Sequence, residues 1–391
     1  MNEKPKKITT KRTSQGQIIK RGDRTWLVRV SRGRDVTGKR RYLNTTIYGT
    51  KKDAQDYLNK KLTEKSAGTL VEPSRLSVDE YLNKWLDVAA RPRLREGTFT
   101  SYSELLDRYI RPDLGVHRLS NLHALDVQKT YSGMLAKGLS ARTVRYAHAV
   151  LTSALKQAVK WGMLTINVAD LVELPKQERR EMHALSPTEA SKFLESASCD
   201  PQGIVFVFAL ATGMRPEEYL ALKWSDIDLK EGNAVVRRTL VWRKSGGWYF
   251  GEPKTSRSRR TVPLPDSLTQ SLRMHRRLQN ELKLQLEAAE REAFQKNDLV
   301  FAASNGMPHA IRNLKQRHFK PILKRAELPM IRLYDLRHSC ATLLLAAGEN
   351  PKVVSERLGH ASITLTLDTY SHVLPTMQQS ATEKLERILY G

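Results

Sequence analysis

The sequence predicts a multidomain protein, mainly α-helical with small β-sheets, and three observations support that class. Its 391 residues exceed one ordinary domain and suggest two or three. Two polar, Pro-containing stretches, "SAGTLVEPSRLSV" and "ELPKQERREMHALSP", read as linkers. The hydrophobic period also changes across them, from alternation to a helical repeat and then to a mixture. The expected parts are an N-terminal three-stranded sheet plus helix over residues 1–70, a helical domain over 76–172 and an α+β domain with a C-terminal helix over 180–391.

The first part is strongly basic, with 19 Lys and Arg against 6 Asp and Glu in residues 1–70. Residues 1–15, "MNEKPKKITTKRTSQ", lack apolar periodicity and read as a flexible basic tail. "TWLVRV" places Trp26, Val28 and Val30 on one face of a strand. "KRRYLNTTIY" is a second strand after the turn-forming "GRDVTGK", and "TKKDAQDYLNKKLTEK" is a short helix. Arg29, Arg32, Arg34, Lys39, Arg40 and Arg41 cluster on these neighbouring strands and are candidate contacts to a polyanion.

In the helical part, Val144, Ala147, Val150, Leu151, Ala154, Leu155, Ala158 and Val159 follow the spacing of an amphipathic helix. Ser140 is its expected N-cap and Gly162 its stop. Arg142, Arg145, Lys156 and Lys160 decorate the rest of that helix, as a solvated face or as phosphate contacts. In the C-terminal part, "NAVVRRTLVW", "GGWYFG" and "SRRTVPL" are β-rich and predict a three-stranded antiparallel sheet within an otherwise helical domain.

Composition narrows the partner. Lys and Arg number 66 against 41 Asp and Glu, a formal charge of +25, and a surplus that large favours nucleic acid. No apolar run approaches a membrane span, and no apolar signal region follows the basic N-terminus, so a membrane partner is not expected. Cys199 and Cys340 are far apart with no CxxC spacing, so neither a disulfide framework nor a cysteine metal site is expected, and both read as small core residues. Nucleotide-binding P-loop, zinc-protease and calcium-loop motifs are also missing from the sequence.

Four segments share an unusual chemistry. "ATGMRPEEYLALKWSDID" sets Arg215 at the start of a helix, and "GEPKTSRSRRTVPL" puts Lys254 at a β-turn. "LYDLRHSCATLLLAAG" puts Arg337 at the head of an apolar helix, and "LGHASITLTLDTYSHV" contains His360 and Tyr370. Guanidinium groups clamp the nonbridging oxygens of a phosphodiester and offset charge developing on them. A lysine can protonate a leaving oxygen and a tyrosine hydroxyl can attack phosphorus, so these residue types suffice for phosphoryl transfer without a metal or other cofactor. Taken singly, each has a plainer reading as a surface arginine, a solvated lysine, a helix-start histidine or a packing tyrosine.

In that order and spacing the four segments resemble the tyrosine recombinases, the lambda-integrase-like family of site-specific DNA recombinases. The resemblance covers nearly the whole chain. It implies an arm-type DNA-binding domain at residues 1–70, a helical, SAM-like core-binding domain at 76–172 and the catalytic domain at 180–391. By the same resemblance, Arg215 and Arg337 clamp the phosphate, and Glu218 supports the first arginine. Lys254 is the general acid toward the 5′-hydroxyl, His360 hydrogen-bonds the phosphate, and Tyr370 forms a 3′-phosphotyrosyl bond. One position departs from the pattern: Tyr334 stands three residues before Arg337, where the family usually has histidine. Tyrosine side chains ordinarily ionise near about pH 10, so Tyr334 can donate a hydrogen bond there but is a poor proton shuttle near neutrality. His338 follows the family's "RH" pattern and reads as structural.

The resemblance further implies integration and excision of a mobile element by a homo-tetramer on double-stranded DNA with core and arm sites. An excision factor and a host DNA-bending protein are the implied accessory partners, and the implied setting is the bacterial cytoplasm, with the protein on DNA. Met377, Ala381, Leu385, Ile388 and Leu389 form one stripe of a C-terminal helix that is expected to cover a neighbouring protomer, with its own domain as the alternative surface. Two rival functions are a type IB topoisomerase, which relaxes DNA with nearly the same catalytic set, and a non-catalytic DNA-binding protein.

Overall fold

The computed structural model describes residues 16–34, 37–66, 75–177, 182–243, 246–253, 256–370, 382, 383 and 385–390. The side chains of Arg32, Ser256, Asp368, Thr369 and Tyr370 fall outside that description. So do the basic tail, Lys254, Met377 and Ala381. The chain divides into two compact units, Met1–Arg179 and Arg180–Gly391.

The first unit opens with an antiparallel sheet in the order β1-β2-β3, formed by β1 (Gly16–Gly22), β2 (Thr25–Arg34) and β3 (Arg40–Tyr48), followed by α1 (Lys51–Ser66). Alternation sends Val28, Val30 and Leu43 to one face, where they are buried with Ala54 and Leu58 of α1. Thr50 and Asp53 cap the helix reciprocally, through Thr50 N–H to Asp53 Oδ2 at 2.7 Å and Asp53 N–H to Thr50 Oγ1 at 3.2 Å. Arg29 is out of phase with Val28 and Val30, so it belongs to the opposite face. There its guanidinium lies 4.5 Å over the Tyr42 ring and donates from Nε to Asn44 Oδ1 at 3.1 Å.

The helical part comprises α2 (Val78–Trp85), α3 (Glu96–Leu105), α4 (Arg111–Leu114), α5 (Ala124–Ala136) and α6 (Ala141–Lys160). π-helical turns at Leu86–Ala90 and Leu106–Ile110 extend α2 and α3. Ser77 and Glu80 form a capping box on α2, and the Ser140 hydroxyl caps α6 by accepting from Thr143 N–H at 3.3 Å. Seven of the eight expected apolar positions of α6 are buried, and Val159 is half-buried. The helix stops at Trp161, and Gly162 follows with φ +67°.

The second unit begins with α7 (Pro187–Ser198), α8 (Gly203–Thr212) and α9 (Pro216–Tyr219). Short strands follow, β4 (Ile227–Asp228), β5 (Asn233–Val235), β6 (Thr239–Trp242), β7 (Trp248–Gly251) and β8 (Thr261–Pro263). The helices α10 (Asp266–Gln285), α11 (Ala288–Asn297), α12 (Ile311–Leu314), α13 (Lys320–Arg325), α14 (Asp335–Ala346), α15 (Pro351–Leu358) and α16 (Ile363–Tyr370) complete it. Apolar α8 runs through the core, where Phe206 and Phe208 meet Phe319 and Phe301 with ring centroids 5.2 Å apart in each pair.

Two expectations need correction. The single three-stranded sheet is instead a three-stranded sheet β4-β5-β8 and a separate ribbon β6-β7. "NAVVRRTLVW" breaks between β5 and β6 because Arg237 and Arg238 both turn to the buried Asp226, while the Val236 N–H goes to Arg260 C=O at 2.9 Å. Cys340 is buried as expected, but Cys199 is exposed, because it is the C-cap of α7 rather than part of its apolar face.

Candidate active site

Glycine-terminated helices set the framework of the site. Gly213 ends α8 with φ +64°, and a Cβ there would come 2.6 Å from Leu358 Cδ2. Gly359 ends α15 with φ +68°, and a Cβ there would meet Arg260 Nη1 at 3.0 Å. The carbonyls of both glycines accept from arginines of the site. Arg337 Nη1 donates to Gly213 C=O at 2.8 Å, and Arg215 Nη2 to Gly359 C=O at 3.3 Å.

Arg215 directly precedes Pro216, the first residue of α9. Its Nη1 pairs with Glu218 Oε1 at 2.7 Å, and its backbone N–H donates to Glu218 Oε2 at 3.0 Å. Glu218 is 2% exposed and takes a second ion pair from Arg260 Nη2 at 3.0 Å. Burial works to raise the Glu218 carboxyl, but Arg260 and then Arg215 outweigh it and hold it below the usual carboxylate range. Burial likewise opposes the charge on Arg215, and Glu218, aided by the Tyr334 hydroxyl, keeps that guanidinium firmly protonated.

Arg337 sits in the first turn of α14, whose start is fixed by Asp335 accepting from Arg332 N–H at 2.7 Å. It is 2% exposed, and its Nη2 is buried with no hydrogen-bond partner among the described residues. Burial first, and then repulsion from Arg215, push it down to about 10. Tyr334, at the head of the same helix, is exposed and acts electrostatically on both Arg215 and Arg337. His338 is pushed down to about 4 by burial, and its ring lies tilted against the Tyr334 ring with centroids 5.4 Å apart.

His360 follows Gly359 and is held by its backbone N–H donating to Ser355 C=O at 3.0 Å. Burial, then Arg337 and Arg215, push its imidazole down to about 3, so the ring is neutral near pH 7. Beside it opens a cleft of about 490 Å³ with Arg257, Arg260 and Lys352 on its walls.

The structure therefore brings Arg215, Glu218, Tyr334, Arg337 and His360 together. Tyr370 ends α16 by its backbone, and Lys254 lies outside the described residues. Two members of the cluster escaped sequence reasoning. Arg260 is one of several cations in "SRSRR", and local pattern does not separate it from the exposed Arg259. Thr366 is buried and hydrogen-bonded to His360, a pairing between residues six apart that the helical period alone would not suggest. Among the basic candidates of the first unit, Arg34, Lys39, Arg41 and Arg142 are exposed. Arg145 instead donates from Nε to Pro175 C=O at 2.8 Å, which ties it to the chain that follows α6. Leu385, Ile388 and Leu389 of the C-terminal stripe are exposed.

Residues 176–377 match the phage integrase family, and residues 77–135 match the phage integrase N-terminal SAM-like domain. A tyrosine recombinase XerC-like protein of Caldanaerobacter subterraneus subsp. tengcongensis is 30% identical over 383 residues, 94% of this chain and 97% of its own. The ICEBs1 integrase of Bacillus subtilis is 29% identical over 72% of this chain and 74% of its own. In fold, the chain matches the Tn1549 transposon integrase in complex with transposon right end DNA, with a TM-score of 0.67 at 23% identity over 79% of this chain and 99% of that one. It also matches a lambda integrase tetramer bound to a Holliday junction, with a TM-score of 0.55 at 18% identity over 90% and 94% of the two chains. The chain belongs to the phage integrase family of tyrosine recombinases. It is a site-specific recombinase of mobile elements that cleaves and rejoins DNA. Among the described residues no helix is long and apolar enough to cross a membrane.

Proposed function

We propose that Arg215 and Arg337 grip the scissile phosphodiester while Tyr370 attacks it, joining the protein to the 3′ phosphate and releasing a 5′-hydroxyl. The observation that supports this most is Arg337, a buried guanidinium with Nη2 unpartnered among the described residues and with Arg215 repelling it. A buried donor left unpaired costs about 1–3 kcal/mol, and more when charged. An anion seated against both guanidiniums relieves that cost and the repulsion together. Glu218, shared with Arg260, holds Arg215 in place without cancelling all of its charge, and neutral His360 and the Tyr334 hydroxyl supply further donors. The released 5′-hydroxyl then attacks the phosphotyrosine of a partner duplex. The covalent link preserves the energy of the phosphodiester, so the exchange needs neither a metal ion nor ATP.

Lys254 is the general acid that protonates the departing 5′ oxygen. Lys254→Ala should slow cleavage of an ordinary core duplex by about 10²–10⁴-fold. A duplex with sulfur at the 5′-bridging position, whose thiolate leaves without a proton, should be cleaved at nearly the wild-type rate. Single-turnover rates on the two substrates test this, and an equal defect on both removes Lys254 from the role.

The domain divisions at 1–70, 76–172 and 180–391 assign DNA arms to the sheet and core DNA to the two later parts, with four protomers joining two sites. An excision factor and a host DNA-bending protein set the direction, in the bacterial cytoplasm. Arm contacts come from Arg29, Arg32, Arg34, Lys39 and Arg41, and core contacts from Arg142 and Arg145. Arg29 supports the first assignment, being pre-set on the sheet face opposite α1 by Tyr42 and Asn44. Arg29→Ala should make the log-log salt dependence of arm binding shallower by about 0.9 and leave cleavage of an isolated core site unchanged. An unchanged slope in a salt titration removes Arg29 from phosphate contact.

A further inference from the structure

The buried hydrogen bond between His360 Nδ1 and Thr366 Oγ1, at 2.7 Å, has a chemical consequence for the phosphate site. Thr366 is 0% exposed and His360 9% exposed, so water does not substitute for this contact. A neutral imidazole has one N–H and one lone pair, and the partner of one nitrogen decides which is which. Were Thr366 to accept from Nδ1–H, the remaining nitrogen Nε2 would turn a lone pair toward an incoming phosphate oxygen, which is repulsive. If the threonine hydroxyl donates to Nδ1, then Nε2 bears the proton and becomes a donor to that oxygen. Gly359 and the bond from His360 N–H to Ser355 C=O fix the backbone that carries the ring, and the contact with Thr366 is the hydrogen bond that orients it. Arg215, Arg260, Arg337 and His338 are the ionisable groups that act on it.

We propose that Thr366 is a positioning residue whose hydroxyl donates to His360 Nδ1 and so presents Nε2–H to the scissile phosphate. This rests on the reading of His360 as a phosphate ligand and Tyr370 as the nucleophile. Thr366 lies one helical turn before Tyr370 on α16. The helix that carries the nucleophile thus also sets the histidine, and a protomer whose α16 is displaced loses both at once.

The test uses the full chain and a nicked duplex carrying the core site from the element's junctions, with single-turnover formation of the protein–DNA adduct as readout. Thr366→Val keeps the shape and removes the hydroxyl, and it should slow adduct formation about tenfold with duplex binding unchanged. Thr366→Ser restores the hydroxyl and should return the rate to within about twofold of wild type. In a His360→Ala background, Thr366→Val should add less than about a twofold effect, because a residue that acts through His360 has nothing left to position. Equal slowing by Thr366→Val in both backgrounds overturns the proposal in favour of a general packing role, and so does a wild-type rate for Thr366→Val. Failure of the underlying reading is separable, since it would appear as no adduct at Tyr370 in the wild-type protein itself, or as an undiminished rate in His360→Ala with Thr366 intact.

Discussion

Tyr370→Phe abolishes DNA cleavage and leaves core-site binding at its wild-type level: this is the largest effect expected of any single substitution in the chain. Phenylalanine keeps the ring and removes one oxygen, so the change in size is minimal while the nucleophile is lost. Every other group of the cluster acts by charge or hydrogen bonding on a phosphate that no longer has an attacker. Removal of a nucleophile from an assembled site typically lowers the rate by about 10⁴-fold or more. Affinity should persist because duplex binding depends on many phosphate contacts and not on one hydroxyl. A nicked duplex that traps the covalent species should give an adduct with wild type and none with the variant. An adduct that survives in Tyr370→Phe would assign the attack to another residue.

Arg337→Lys should be the second most damaging change. The lysine retains one positive charge but not the planar fork, so one nitrogen must serve both Gly213 C=O and a phosphate oxygen, which the guanidinium can reach with separate nitrogens. Loss of one preorganised donor to developing negative charge costs about 10²–10³-fold in rate. The local fold should survive, because the first turn of α14 is anchored by Asp335 and Ser339. Asp335 is paired with Arg332, and Ser339 Oγ accepts from Leu185 N–H at 2.9 Å. Cleavage rate, duplex affinity and thermal midpoint measured together check this. A wild-type cleavage rate, or a rate loss matched by unfolding, contradicts the role given to Arg337.

What could be read in advance follows the range of the forces involved. The buried stripe of α6 and its Ser140 cap were legible because they depend on spacing within one helix. The grouping of Arg215, Glu218, Arg337 and His360 was legible through a resemblance in motif order, not through any local pattern. The division of the C-terminal sheet was not legible, since it depends on Asp226 drawing Arg237 and Arg238 away from the ladder. Cys199 misled because small apolar residues are usually buried, whereas this one caps the C-terminus of α7 at a solvent-exposed position. Arg260 was hidden for a similar reason: three arginines in "RSRR" look alike until the fold turns one toward Glu218.

The most direct measurement is peptide mapping of the trapped adduct. After nuclease trimming and proteolysis, mass spectrometry should place a single nucleotide remnant on the peptide that contains Tyr370, joined through a 3′ phosphate, with the DNA partner ending in a 5′-hydroxyl. A remnant on Tyr334 or on any other residue, or a linkage through a 5′ phosphate, would contradict the assignment of Tyr370 as the residue that takes up the DNA strand.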